Sequence, residues 1–279
     1  MEPLARLQAH IGNLKDLREV IGALRGLAAT HVQEGQAALP GIRSYVATVE
    51  DAIAEAAALG PASGREQVDP NGPGKGALLL ISSEHGFVGG FNERLLERAS
   101  DALSPDKALF VVGTRGATLA SERGLEVQQS FEMATRVAGV LAMSRQVATA
   151  LSGFEAAEVI FARYRLGGGF DVSQQTILPL DPSLMSGSRL RSPPLHHLDR
   201  LLLLRRLAEE YLLAEITRCM VENMTSENGA RLRATETADR NIEDRLRQLK
   251  TNEQALRQAS VTDELLELVT AAESLQSPE

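Results

Sequence analysis

A glycine-bearing segment, EHGFVGGFN at residues 84–92, has the clearest potential for chemistry in this sequence. It follows an apolar run of strand length and opens a segment with helical spacing, and such a turn can bind phosphate through backbone N–H groups. Its spacing matches neither G-x-G-x-x-G nor G-x-x-x-x-G-K-[ST], and no acidic residue stands at the distance of a ribose partner. The sequence therefore favours a structural loop built on Gly86, Gly89, Gly90 and Asn92, with nucleotide binding as the alternative.

The other reactive side chains form no recognisable catalytic or metal-binding set. Cys219 is the one cysteine of the sequence, so it cannot form an internal disulfide or build a zinc site alone. His196 and His197 are adjacent and would point about 100° apart on a helix, so we interpret them as residues at a helix start. We expect no catalytic residue, no metal and no cofactor, and we expect a shaft or interaction protein in place of an enzyme.

A basic stretch lies near the carboxyl end. Its arginines alternate with acidic residues and are Arg231, Arg233, Arg240, Arg245 and Arg247. Alternating charge is typical of a solvated helix face, which is the expectation here, with an acidic partner as the alternative. The net charge of −8 argues against nucleic acid as the partner.

Residues 77–180 predict a small, Rossmann-like α/β domain that would carry the loop. All seven phenylalanines of the sequence lie inside this stretch, which indicates a thick core. Helical segments separate strand-like runs at 77–82, 108–112, 125–129, 158–165 and 170–178. This alternation predicts a largely parallel sheet covered by helices, with the last two strands as a hairpin at one edge.

Two helical flanks enclose this domain. Residues 195–277 contain no proline and one glycine, and if continuous they predict a helix of roughly 120 Å. Residues 1–59 repeat apolar side chains every three or four positions, with a bend expected near Pro40. A compact globule of this length has a radius of gyration of only about 19 Å. We expect the flanks to form a long antiparallel coiled coil that another protein covers, with a solvated or dimeric coiled coil as the alternative.

Polar residues interrupt the apolar stripe of the second flank, and we interpret them as a seam that does not adhere permanently. They are Arg218, Thr225, Asn228, Thr235 and Asp239. Residues 60–76, rich in proline and glycine, predict a linker, since the GPGKG at 72–76 precedes a strand where a phosphate loop would follow one. No run of 18 apolar residues and no signal pattern is present, so we expect no membrane span and a reducing compartment.

Several segments together resemble the gamma subunit of F-type ATP synthases, over the whole chain. They are SENGARLRATETADRN at 226–241, RQASVTDELLELV at 257–269, ISSEHGFVGGFN at 81–92 and VIGALRGLAATH at 20–31. The matching positions of the first two are Ser226, Glu227, Ala230, Arg231, Ala234, Asn241, Arg257, Gln258, Thr262, Glu264, Leu265 and Glu267.

The resemblance implies a central-stalk rotor that transmits torque between the membrane c-ring and a head of alpha and beta subunits. It implies that the coiled coil turns inside the head, that the α/β domain lies next to the epsilon subunit and the c-ring, and that the catalytic groups belong to beta. It implies contacts with a beta subunit at Arg257, Gln258 and Thr262, and at Leu24 and Arg25. The expected location is peripheral, on the cytoplasmic face of a bacterial plasma membrane.

The sequence also departs from the family pattern. Leu24 replaces a methionine, Gly22 and Gly26 enter the first helix, and Glu84-His85 replaces Asp-Arg. These changes indicate a divergent form of the subunit. The alternatives are a coiled-coil adaptor, which would self-associate, and a small nucleotide-binding α/β enzyme with helical extensions.

Overall fold

The computed structural model describes residues 2–59, 76–165, 167, 169–185 and 197–276. Its elements are α1 (Glu2–Ala57), β1 (Gly76–Ile81), α2 (Phe91–Ala102), β2 (Lys107–Val112), α3 (Thr114–Glu122), β3 (Val127–Phe131), α4 (Val137–Leu151), β4 (Ala156–Arg165), β5 (Gly169–Leu178), a 3-10 turn (Pro182–Met185) and α5 (Arg200–Gln276). Except for Gly76, the predicted linker lies outside the described residues, as does His196.

The described strands form a five-stranded sheet in the order β3-β2-β1-β4-β5. The pairs β1–β2, β1–β4 and β2–β3 are parallel, whereas β4 and β5 pair antiparallel as an edge hairpin. This confirms the predicted mixed α/β fold with a largely parallel sheet and long terminal helices. The third strand was expected at 125–129 but lies two residues later, because Val127 pairs with Leu109 and the N–H of Gly113 donates to Phe131 O.

Both faces of the sheet are buried, which explains why β1 reads as an uninterrupted apolar run. Leu79 and Ile81 point into one core, together with Val147 of α4 and Ile216 of α5. The alternate residues of β1 point into a second core, formed with apolar side chains of α2 and α3 and with Ala230 of α5. Helix α5 therefore contributes to the cores on both faces of the sheet.

The chain divides into two compact units, Ala28–Arg233 and Met1–Leu27 with Ala234–Glu279. Unit 1 is the pair Met1–Leu27 and Ala234–Glu279. Unit 2, Ala28–Arg233, contains the sheet, the carboxyl half of α1 and the amino half of α5. Its helix pair is antiparallel, since Arg43 Nη2 donates to Glu222 Oε1 at 3.0 Å and Arg200 Nη2 donates to Ala57 O at 2.7 Å.

Unit 1 contains the other end of each long helix, again as an antiparallel pair. Gln8 Nε2 donates to Glu253 Oε1 at 2.9 Å, and Arg18 Nη2 donates to Glu243 Oε2 at 3.1 Å. Its apolar core is small and consists of aliphatic side chains, with no aromatic residue among its described members. They are Ile11, Ile21, Ile242, Leu246 and Leu249.

Two details of the long helices differ from simple expectation. Pro40 lies inside α1 on its exposed side and does not divide the helix, while the neighbouring Leu39 is buried in the main core. Helix α5 begins at Arg200, where Asp199 Oδ2 accepts from the N–H of Leu201 at 3.1 Å. His197 lies before this cap, so it is not a residue of the helix start. Among the described helices, none is both long enough and apolar enough to cross a lipid bilayer.

Candidate functional site

The loop between β1 and α2 is closed by a pair of hydrogen bonds. Asn92 Oδ1 accepts from the N–H of Ser83 at 3.1 Å, and Asn92 Nδ2 donates to Ser83 Oγ at 2.8 Å. The Asn92 side chain is buried at the first turn of α2. Because a buried amide group must satisfy both its donor and its acceptor, this residue fixes the two ends of the loop to each other.

Only part of the loop needs glycine for its backbone. Gly89 has a φ of +58°, a left-handed conformation that side chains rarely adopt, whereas Gly90 precedes α2 with a φ of −77°. Phe87 also has a positive φ, 61°, and the residue is 61% exposed at the loop tip. A bulky residue in this conformation is uncommon, so the surrounding contacts must hold the tip in place.

Glu84 ties this loop to two other elements. Its carboxylate accepts from the N–H and hydroxyl of Thr114, at 3.1 and 2.7 Å, and from the N–H of Met133 at 2.7 Å. Burial acts to raise the pKa of Glu84, but these hydrogen bonds outweigh it and place the pKa below its usual range. The glutamate therefore joins the ends of β1 and β3 at the start of α3.

Arg231 of α5 holds the other side of the loop. Its Nε donates to Gly86 O at 3.2 Å and its Nη2 to His85 O at 3.3 Å, while the same Nη2 donates to Glu227 Oε1 at 2.6 Å. Arg231 is 8% exposed and Glu227 4%. The expectation of a solvated face is therefore wrong for Arg231, because this face of the helix packs on the loop. Burial raises the pKa of Glu227, and the charge of Arg231 opposes that effect.

Two further polar residues of α5 bind the backbone of the sheet. Asn223 Nδ2 donates to Ser82 O at 3.1 Å and its Oδ1 accepts from the N–H of Ala162 at 3.0 Å. Ser226 Oγ shares its one proton between Ala162 O, at 2.9 Å, and Glu222 O of its own helix, at 2.8 Å. Asn223 and Ser226 are fully buried, so these directional bonds form in a water-excluded interface.

A buried ionic cluster lies one to two turns earlier on α5. Arg218 Nη2 donates to Glu215 Oε2 at 2.7 Å and to Gln175 Oε1 of β5 at 2.7 Å, and its Nη1 donates to Glu222 Oε1 at 3.3 Å. Glu222 also accepts from Arg43 of α1. Polar residues that were expected to loosen the seam therefore bind partners inside their own chain. Arg218 and Asn228 do so by hydrogen bonds, whose partners include Glu215 and Arg231 of the same helix.

The residues expected to contact a beta subunit lie in unit 1. Leu24 is half-buried, and the exposed Arg25 has its Nη1 3.6 Å from Asp239 Oδ2. Arg257, Gln258 and Thr262 are exposed along α5, where Thr262 Oγ1 donates to Gln258 O at 2.9 Å.

The structure does not bring these two sets together. Arg25 lies beside Asp239, and Arg257 is eighteen positions further along α5, which is about 27 Å of helix. If Leu24 with Arg25 and Arg257 with its neighbours both contact a beta subunit, the two contacts lie at different positions along the helix pair.

Exposed apolar side chains were not singled out from the sequence. Leu17, Val20 and Leu27 of α1 are 44%, 56% and 58% exposed, although Leu17 follows the apolar repeat of residues 1–59. Leu265, Leu266, Leu268 and Val269 of α5 are also exposed. The signal was available on α1, since residues 17, 20, 24 and 27 follow a spacing of three, four and three that makes a second apolar row.

Comparison with known proteins identifies the class. The model of the ATP synthase family matches residues 3–275, so the chain belongs to that family. Relatives named ATP synthase gamma chain include those of Anaeromyxobacter sp. strain Fw109-5, 27% identical over 304 residues, and of Bdellovibrio bacteriovorus, 24% identical over 305 residues. In both, the match covers 99% of this chain and 100% of the relative.

Solved structures agree on the fold. A chain of the Euglena gracilis mitochondrial ATP synthase, solved with OSCP, F1 and the c-ring, superposes with a TM-score of 0.71 at 12% identity, covering 98% of this chain and 95% of that one. The rotor of the same enzyme gives a TM-score of 0.69 at 12% identity, covering 93% and 99%. Together with the family match, these findings confirm the resemblance to the gamma subunit: the chain is a central-stalk subunit of an ATP synthase. They decide against the adaptor and the nucleotide-binding enzyme.

Proposed function

We propose that this chain works as a rotary axle by turning the helix pair of unit 1 inside a head of alpha and beta subunits. The observation that carries the proposal is the exposed apolar row of α1, Leu17, Val20 and Leu27. Large apolar side chains clustered on a surface are typical of a protein interface. A row along the outer side of one helix suits a surrounding sleeve.

The helix pair presents different surfaces to the surrounding sleeve at different positions along its length. Arg25 and the apolar row lie on α1, whereas the polar Arg257, Gln258 and Thr262 lie further along α5. We infer that these polar residues contact a beta subunit as the axle turns, and that Leu24 and Arg25 meet an acidic segment of beta. An exposed ion pair at Arg25 would add less than about 1 kcal/mol, which suits a contact that must break in each turn.

The remaining assembly follows from the same proposal. The α/β domain would lie next to the epsilon subunit and the membrane c-ring, at the cytoplasmic face of a bacterial plasma membrane. Ion flow would turn the c-ring and this chain together, and the asymmetric axle would set the conformation of each beta site in turn. The catalytic groups would belong to beta, so this chain supplies torque and timing.

The experiment is co-expression of the chain with the alpha and beta subunits from the same organism. We expect to purify a particle that contains all three and hydrolyses ATP. Changing Leu17, Val20 and Leu27 together to glutamine should reduce the yield of that particle, since the apolar row would no longer fit the sleeve.

The matched control changes Lys15 and Glu19, two exposed residues of the same helix segment, to glutamine. This variant should assemble like the unmodified chain. Absence of any particle with the unmodified chain would reject the proposed function, and equal yields from both variants would reject the apolar row as its basis.

A further inference from the structure

A rotor works only if its helix and its sheet domain turn together. The hydrophobic effect has no preferred direction, so by itself it holds a helix against a sheet without selecting one angle of rotation about the helix axis. Hydrogen bonds require a defined distance and angle, so they do resist such rotation. The place where α5 makes directional bonds to the sheet domain is therefore important for torque.

Three residues of α5 that make such bonds are Asn223, Ser226 and Arg231, and Arg218 adds a bond to Gln175 of β5. Asn223 and Ser226 are one turn apart, whereas Arg231 follows five residues after Ser226, about 140° further around the helix. Ala230 lies between them around the helix and packs into the core shared with α2 and α3. This broad side of α5 thus combines apolar contact with polar side chains that reach backbone atoms.

The acceptors and donors on the other side belong to the carboxyl end of β1 and the adjacent part of β4. Asn223 and Ser226 bind Ser82 O and the N–H and C=O of Ala162. Arg231 binds the carbonyls of His85 and Gly86 in the loop that follows β1. Backbone atoms of a sheet cannot rotate out of the way as surface side chains can, so they provide rigid attachment points.

The buried carboxylate of Glu227 keeps this arginine in place. It accepts from Arg231 at 2.6 Å, and Asn228 Oδ1 accepts from Arg231 Nη1 at 2.9 Å. With these partners the planar guanidinium has a fixed orientation toward the loop. Two of the segments that resemble the family, 226–241 and 81–92, are thus in contact through Arg231 of the first and the carbonyls of His85 and Gly86 in the second.

We propose that Asn223, Ser226 and Arg231 are positioning residues that lock α5 to the sheet against rotation, so that torque passes between the domain and the axle through them. This inference rests on the proposed function. When the lock is weakened, α5 can turn under load without carrying the domain with it, so some ATP is hydrolysed without moving ions. ATP hydrolysis then continues while fewer ions move for each ATP consumed.

The test uses the complete ATP synthase in sealed vesicles, with ATP hydrolysis and ATP-driven ion uptake measured on the same preparation. The first variant combines Glu227→Gln with Arg231→Met, so that no charge is left buried without its partner. The second, Ser226→Ala, removes one hydroxyl and serves if the first fails to assemble. For both, the ratio of ion uptake to hydrolysis should fall, about twofold or more for the double variant, because several hydrogen bonds are lost at once.

The matched control is Ile216→Ala, which removes fully buried apolar atoms from the same helix. It should lower thermal stability but leave the ratio unchanged, because it removes no directional bond to the sheet. Arg231→Lys keeps the charge but has one donor nitrogen in place of three, so it should keep more of the ratio than the double variant does.

Two outcomes would overturn the inference: an unchanged ratio in the assembled variants, or an equal fall in Ile216→Ala. If the unmodified chain neither assembles nor supports ion uptake, the proposed function itself fails, which is a different result.

Discussion

Gly35 of α1 and Thr225 of α5 lie in direct contact, with room for no side chain on the glycine. A Cβ atom at Gly35 would come within 2.0 Å of Thr225 Oγ1 and 3.1 Å of its Cβ. Thr225 is fully buried and its hydroxyl donates to Val221 O at 2.7 Å, so it cannot move aside cheaply. The two long helices of unit 2 approach each other closely because this position is glycine.

Gly35→Ala should therefore destabilise the chain. Overpacking a filled site costs about 1–3 kcal/mol, and the alanine recovers at most ~1 kcal/mol through its helix propensity. Urea unfolding followed by far-UV circular dichroism would measure the difference. The control is Gly22→Ala on the same helix, where an added Cβ meets no atom within 4 Å and stability should rise slightly. Equal effects of the two substitutions would contradict the close contact.

The Glu84 carboxylate predicts a pH dependence of stability. Its pKa is lowered in the folded chain, so it stabilises the fold at pH values above the unfolded pKa of about 4.3. This contribution is lost as the pH falls through the lower, folded value, where the carboxyl binds a proton and loses the charge that strengthens its hydrogen bonds from Thr114 and Met133. Glu84→Gln should be less stable than the unmodified chain near neutral pH, and the difference should shrink on acidification.

Urea unfolding at a series of pH values between neutral and acidic would measure this difference. Glu93→Gln, which changes an acidic residue of the first turn of α2, is the control for the loss of one carboxylate. A constant difference between Glu84→Gln and the unmodified chain at every pH would show that the carboxylate charge has no part in stability.

Arg257 and Gln258 predict an effect on catalysis by the assembled particle. If they contact a beta subunit, Arg257→Ala with Gln258→Ala should reduce ATP hydrolysis while the chain itself folds normally, since both side chains are exposed. Steady-state ATPase activity of the purified particle measures this effect.

A second arginine–glutamine pair of α5, Arg247 and Gln248, provides a control on the same helix. These residues are also exposed and bind neighbours within the helix, Asp244 and Arg245. Changing them to alanine should leave turnover close to that of the unmodified particle. Unchanged turnover in the Arg257/Gln258 variant would reject this contact and leave the family assignment intact.

The fold was largely predictable because it depends on local patterns. The apolar run of β1, the helix formers from 195 to 277 and the alternation of strand and helix each report on nearby residues, and the structure agrees with them. Boundaries were less predictable, as with β3, because strand ends are set by pairing with a neighbour that is distant in the sequence. The loop at 84–92 was recognised from its glycines, but its attachment to α5 was not.

Arg231 illustrates what the sequence alone determined and what only the tertiary structure decided. The pattern of alternating charges placed it correctly on a long helix, since helical periodicity is a local property. The same pattern fits a residue in water and a residue buried beside Glu227, and the choice depends on which surface packs against that face. The sequence therefore determined the elements, the family and the candidate residues. The packing of the sheet domain on α5 decided which polar residues hold the chain together and which remain exposed for partners, because burial and hydrogen bonding depend on contacts between distant segments.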